Sequence, residues 1–393
     1  MLSLDLRRPV WAEIHLDRLA HNFRQVKQQV GSEKEICAVV KANGYGHGAV
    51  IVARELEKEG VDRLAVATLN EGIELRSGGC RLPILVMGYT PDELASEMIR
   101  HGLIATIYTI QQGNAFSNMA QHMGQKCRVH IKVDSGMSRL GFQVTTESVD
   151  AIKKICQLPG VDVEGIFTHF AAADEENKSE TRQQLDKFMW LVEETRKTGC
   201  RIPIRHAANS AAIIDYPASH LDMVRPGIML YGLYPSEEVD HEKVKLRRVM
   251  ALKSRIAHLK TISPGTGVSY GLTYRATRET AIATLPVGYA DGYTRMLGGK
   301  AEVSMNGRKA PVVGRICMDQ CMVDVTGMDV SLNNEVTLYA LETELGDTVD
   351  DVARKLSTNN YEIVCMIGRR VPRAYYNQGI LEKVTDPLVD HDQ

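Results

Sequence analysis

Through the first two-thirds of the chain, short apolar runs alternate with charged segments whose apolar residues recur at helical spacing. The runs at 36–40, 63–68, 83–87, 104–108, 128–133, 163–167, 204–207 and 223–224 read as strands. Between them, 48–58 and 180–197 have helical periodicity, the second through Phe188, Trp190, Leu191 and Val192. Eight strands alternating with helices over roughly 200 residues predict a (β/α)8 barrel of the TIM type, an α/β fold. A doubly wound sheet is the alternative, but no G-x-G-x-x-G fingerprint follows a strand.

The pattern changes near residue 245. Period-two, β-branched runs follow at 250–259, 280–286, 301–305, 311–316, 321–325 and 335–339, with one short helix at 349–356. Asn306-Gly307 separates two of these runs and predicts a type I′ hairpin. The chain therefore divides into a barrel, 1–244, and a mostly-β domain, 245–393. The segment from Trp11 to Ile14 suits either.

Composition narrows the classes. A length of 393 residues with 44% hydrophobic content fits two globular domains. A net charge of -2 makes no electrostatic case for nucleic acid or an anionic membrane. No apolar stretch approaches the roughly 20 residues of a membrane span. No apolar segment follows the N-terminal arginines, so a cytoplasmic location is expected. The eight cysteines lack metal-ligand spacing, so no metal is expected and they read as buried, reduced thiols.

Candidate chemistry falls just after the predicted strands, where barrel enzymes build their sites. Lys41 ends the first apolar run and opens the glycine-rich segment Ala42-Asn43-Gly44-Tyr45-Gly46-His47-Gly48. A lysine half-desolvated by a strand end has a lowered pKa suited to Schiff-base chemistry. Asp134 to Phe142 follows the fifth strand, Thr168-His169-Phe170 the sixth, Asn209-Ser210 the seventh and Arg225-Pro226-Gly227-Ile228 the eighth. Singly, His169 reads as a core histidine, Ser210 as a helix N-cap and Arg225 as a surface residue. Together, a lysine opposite a phosphate cup of Ser210 and the Gly227-Ile228 amides suggests pyridoxal 5′-phosphate. Arg225 is assigned to the pyridine nitrogen, where it would leave that nitrogen unprotonated.

These residues resemble the bacterial alanine racemases. The likeness runs from Val39 to Gly48, through Lys132 to Gly141, Arg225 to Gly232, Val268 to Gly271 and Gly314 to Asp319, and closes at Arg370-Val371-Pro372-Arg373. It implies a pyridoxal-phosphate barrel followed by a β domain. It also implies a homodimer whose β domains each complete the partner's site for an amino-acid substrate. Lys41 and Tyr270 would be the two bases on opposite faces of the substrate α-carbon, interconverting L- and D-alanine and supplying D-alanine for peptidoglycan. His169 would support Tyr270 and itself contact Arg225. Arg139 would bind the cofactor's phenolic oxygen and the substrate carboxylate. Lys132 matches a lysine that many relatives carbamylate to orient that arginine. Tyr45, Ser210, Gly227 and Ile228 match phosphate contacts. Met318 and Asp319 match substrate-pocket positions, and Tyr289, with Tyr293 nearby, the entrance. Arg369 departs from the pattern, standing where many relatives carry a tyrosine near the phosphate. A racemase of broader specificity, a decarboxylase of this fold and a non-catalytic cofactor-binding barrel are the competing readings. Arg225 counts against the decarboxylase, and the β domain against the carrier.

Overall fold

The computed structural model describes residues 8–390, so the outermost ends of the two predicted domains, 1–7 and 391–393, lie outside it. The eight apolar runs form the strands of one barrel. They are β1 (Glu35–Val39), β2 (Arg63–Val66), β3 (Ile84–Val86), β4 (Ala105–Ile107), β5 (Cys127–Asp134), β6 (Val161–Phe167), β7 (Ile204–His206) and β8 (Met223–Val224). Two parallel arcs, β8-β1-β2-β3 and β4-β5-β6-β7, meet at the Leu85–Ile104 bridge. They close where Asp222 N–H donates to Arg205 O at 3.1 Å and Arg225 N–H to Ala208 O at 3.0 Å. β2 stops two residues short of the predicted 63–68 because Thr68 caps the next helix. Its hydroxyl accepts from Glu71 N–H, and the Glu71 carboxylate accepts from Thr68 N–H.

The helices are α1 (Leu16–Val30), α2 (Ala49–Lys58), α3 (Leu69–Ser77), α4 (Ala95–Arg100), α5 (Ile110–His122), α6 (Thr146–Cys156), α7 (Ser179–Lys197) and α8 (Ser210–Asp215). α1 precedes the first barrel strand and buries Leu16, Leu19, Phe23, Val26 and Val30 along one stripe. It packs between α2 and α8, beside the single turn Ile228–Tyr231 that follows β8. It thus takes the place an eighth helix would fill. The expectation of reduced thiols fails for one pair. Adjacent barrel units bring Cys156, at the end of α6, beside Cys200, just past α7, and the two form a disulfide with Cα atoms 6.1 Å apart. Cys317 and Cys365 are free but not buried.

The second domain is a ten-stranded sheet. One half of it runs Glu335–Tyr339, Met250–Arg255, Val10–His15, Arg373–Asn377 and Ile380–Thr385, the last being an edge strand. The segment at Trp11 therefore belongs to this sheet, although its position in the sequence groups it with the barrel. It lies antiparallel to Met250–Arg255 and parallel to Arg373–Asn377. The predicted run 250–259 is two strands, Met250–Arg255 and His258–Ile262, the second pairing with Thr280–Leu285. Asn306 and Gly307 both have positive φ, as a type I′ turn requires. The predicted helix is present as α9 (Val349–Leu356), and α10 (Asn360–Cys365) follows it.

Candidate active site

Lys41 sits one residue beyond β1's flanking Val40 and begins a left-handed turn. Ala42, Asn43, Gly44, Tyr45 and Gly46 have φ of 52, 54, 61, 51 and 82°. Such φ values cost about 1–2 kcal/mol per non-glycine residue, so the surroundings must impose them. Glu71 accepts from Ala42 N–H at 2.7 Å, and its other oxygen accepts from Ala67 N–H at 2.7 Å. Asn43 accepts from Ala49 N–H at 2.9 Å. His47 donates through Nδ1 to Tyr45 O at 2.8 Å, and burial pushes its pKa down to about 4. From the second domain, buried Arg373 donates to Gly46 O from Nε at 3.2 Å and Nη2 at 3.1 Å. Glycine is needed on this side. A Cβ on Gly46 would meet Val364 O at 2.2 Å, and one on Gly48 the Tyr375 hydroxyl at 2.0 Å.

The turn opens on a cavity of about 540 Å³ at the carboxyl ends of the strands. Lys41, Tyr45, His169, Ser210, Arg225, Gly227 and Ile228 line it, as the sequence predicts. Ser210 is not the cap of α8. Asn209 is, accepting from Ala212 N–H, and the Ser210 hydroxyl is left to accept from Gly227 N–H at 2.9 Å. Gly227 leaves space that a side chain would fill, since a Cβ there would stand 2.7 Å from the Tyr45 hydroxyl and 3.8 Å from Ser210 Oγ. Two hydroxyls thus converge beside Gly227, and the amine of Lys41 lines the same cavity. This donor set fits pyridoxal phosphate, with its phosphate at Ser210, Tyr45 and Gly227 and its aldehyde at Lys41.

The field is strongly positive. Burial and then Arg139 lower the Lys41 pKa. Burial and then Arg225 lower that of Lys132 to about 7. Its Nζ donates to Val133 O at 2.7 Å. His169 is pushed well down by burial and by Arg225, Arg139, Lys132 and Lys41. Buried Arg225 falls only to about 10, so it stays a cation. It donates to Thr168 O at 2.8 Å and to Ala207 O at 3.1 Å, and reaches His169 Nδ1 at 3.4 Å. Such a site favours an anionic ligand.

Other predicted residues stand elsewhere. Tyr270 is 65% exposed on the turn Tyr270–Leu272 of the second domain, and Met318 is 52% exposed. Neither lines the cavity of its own chain, nor does Asp319, which accepts from Arg370 at 2.8 Å. The Tyr270 and Met318 loops adjoin, with Ser269 Oγ donating to Arg315 O. Tyr289 is exposed beside them, its N–H donating to Cys317 O at 3.1 Å, whereas Tyr293 is fully buried against Tyr339 and is no part of an entrance. Arg369 is exposed, donates to Pro387 O at 3.2 Å and lies off the cavity. Sequence reasoning missed Glu71, Tyr361 and Cys365, which do line it. Tyr361 and Cys365 come from α10. Asn359 and Glu362 signal the start of that helix, but nothing local signals that it reaches the barrel mouth.

Comparison with known proteins agrees with this geometry. A model described as the alanine racemase N-terminal domain matches residues 14–235, and the C-terminal domain model matches 249–375. Alanine racemase 1 of Clostridium acetobutylicum is 48% identical, over 96% of this chain and 98% of its own. The alanine racemase of Methanococcus maripaludis is 46% identical over 93% of this chain and 98% of its own. Among solved structures, the Clostridium difficile 630 alanine racemase superposes with a TM-score of 0.95 at 45% identity, covering 98% of this chain and all of that one. The Bacillus anthracis alanine racemase with bound L-Ala-P superposes with a TM-score of 0.93 at 35% identity, again over 98% and 100%. The barrel and the β domain are thus those of a known isomerase, and the chain belongs to the alanine racemase family.

Proposed function

We propose that this racemase interconverts L- and D-alanine with pyridoxal 5′-phosphate by a two-base mechanism, as a homodimer in the cytoplasm, and that the D-alanine supplies peptidoglycan. The observation that carries the proposal is the split of the candidate bases. Lys41 lies in a cationic cavity that holds no tyrosine 270 of its own chain, while Tyr270 stands exposed on the second domain beside Met318. A symmetric dimer that seats one protomer's second domain over the other's barrel mouth would bring the two together.

When bound, the cofactor would take up the electron pair left at the substrate α-carbon. Lys41, with its lowered pKa, would hold or release a proton on one face of that carbon. Tyr270 of the partner subunit would do so on the other. A neutral phenol is a weak base, and His169 would support it there, with Arg225 reaching His169 Nδ1 at 3.4 Å. Arg139 would orient the substrate carboxylate. Lys132, near pKa 7, has a free amine in quantity at neutral pH. That amine can add to carbon dioxide, losing a proton to form a carbamate that pairs with Arg139.

The test is chiral chromatography of L-alanine incubated with the protein and pyridoxal phosphate, with L-serine and L-lysine in parallel. Conversion of alanine towards an equal mixture, with the others slow, is expected. Tyr270→Phe should keep the bound-cofactor absorbance and lose at least about 100-fold in racemisation. No inversion of any amino acid by cofactor-loaded protein overturns the reading.

A further inference from the structure

Arg225 is a buried cation that touches no carboxylate among the described residues. Its Nη1 lies 2.9 Å from His206 Nδ1. Behind it, His206 Nε2 lies 2.8 Å from His130 Nδ1, and His130 Nε2 lies 3.1 Å from Glu164 Oε1. Glu164 in turn meets Arg63 at 2.5 Å and Arg128 at 3.8 Å. We infer that His206, His130 and Glu164 form a one-way hydrogen-bond chain through the barrel core that orients Arg225 and supplies its counter-charge, with Glu164 as the remote positioning residue. The consequence for the reaction rests on the reading of Arg225 as the group facing the cofactor ring.

The direction follows from what each group can donate. A guanidinium has only donors. His206 Nδ1 must therefore accept, which puts that ring's single proton on Nε2. That proton points at His130 Nδ1, which must accept in turn and carry its own proton on Nε2. The carboxylate ends the chain as a pure acceptor. A second proton on either ring would set two N–H groups against each other, so both imidazoles stay neutral in one tautomer. Burial works the same way, lowering both histidine pKa values. Burial alone would raise the Glu164 pKa, but His130, Arg63 and Arg128 hold it down at about 2.

The sequence makes room for the chain on adjacent strands. His130 is on β5, Glu164 on β6, His206 on β7, and Arg225 just follows β8. Gly165 is required beside them, because a Cβ there would lie 2.4 Å from His130 Nδ1. Phe167 stacks on His206 at 4.7 Å with the planes 6° apart, fixing the ring. The Arg225 guanidinium lies 5.4 Å from the other ring's centroid. Without the chain, Arg225 would keep only its Nη2 contacts, to the carbonyls of Thr168 and Ala207 and to His169, and nothing would fix Nη1.

Ring-15N-histidine NMR of the purified protein, with and without pyridoxal phosphate, reads the tautomers directly. His130→Asn and His206→Asn assign the signals. The expected result is two Nε2–H, Nδ1-bare rings that do not titrate between pH 5.5 and 8.5. Glu164→Gln keeps the shape and an acceptor but removes the charge. It should lower racemisation kcat about tenfold with KM for alanine changed less than twofold, and raise the share of transamination. Glu164→Asp should recover part of the loss. Rings that titrate in this range or carry Nδ1–H overturn the proposal, as does a Glu164→Gln protein with the parent's kcat and product partition. Absence of racemisation in the parent with the stated tautomers present would instead overturn the functional reading alone.

Discussion

An amine is useful as a base only when part of it is unprotonated, and the site achieves this by burial first and by neighbouring cations second. Lys41, Lys132 and His169 all have lowered pKa values, each first through burial and then through neighbouring positive charge. Arg225 carries the consequence for selectivity. Arg225→Glu would place a carboxylate at the ring nitrogen, so the bound-cofactor absorbance should shift and transamination should rise relative to racemisation. An unchanged spectrum and partition would refute its assignment. Glu71 acts on geometry instead, because its two oxygens tie Ala42 to Ala67 and Thr68. A glutamine there can accept through only one atom. Glu71→Gln should weaken cofactor binding about tenfold, near 1.4 kcal/mol, by equilibrium titration. An equal Kd would mean that the turn is held by its other bonds.

The left-handed turn after β1 is where barrel and second domain grip each other. Arg373, 1% exposed, donates to the carbonyls of Gly46, Ile367, Gly368 and Val371. Arg373→Leu leaves those acceptors dry and should cost about 3 kcal/mol in denaturant unfolding. Gly46→Ala sets a methyl against Val364 O and should lower both the thermal midpoint and cofactor affinity; a variant with the parent's values in both would show that α10 can retreat. The barrel strands were legible in the sequence because parallel strands buried on both faces are continuous apolar runs. α1 has as regular a stripe, but it precedes the first strand and has no place in a strand-then-helix reading. The break at Ile256-Ala257 is set by two different pairing partners, which no local pattern records. In the site, motif resemblance supplied the residues at strand ends. Tyr361 and Glu71 depend on which loops face each other, and the direction of the histidine chain depends on the register of β5, β6 and β7.

At the scale of the whole molecule, the proposed sharing of sites has a quantitative signature. Protein lacking Lys41 and protein lacking Tyr270 should each be inactive. Mixed and reassorted at random, half the dimers are hybrids, and each hybrid has one intact site, giving about a quarter of the parent activity. No recovery after verified exchange would exclude sites built across the interface. Stability should also depend on acidity. His47 is protonated only near pH 4 in the native state and near 6.5 when unfolded. Below pH 6.5 the unfolded chain therefore binds protons the native chain refuses, and stability falls as pH drops. His47 alone accounts for about 3 kcal/mol between pH 6.5 and 4, and His130 and His206 act in the same direction. Urea midpoints at pH 7.5, 5.5 and 4.5 should decline in that order, and level midpoints would contradict the burial of neutral imidazoles.

The strand Val10–His15 gives the chain an order of completion. A ribosome delivers it first, yet both its neighbours, Met250–Arg255 and Arg373–Asn377, emerge only after the whole barrel has been synthesised. Until then its two ladders of N–H and C=O groups are open edges, the kind that invite pairing with another chain. A nascent barrel cut at residue 244 would keep those edges for good. Expressed alone it should aggregate, while the same fragment begun after residue 15 should be more soluble. The beginning of the chain is thus a latch that only its end can close.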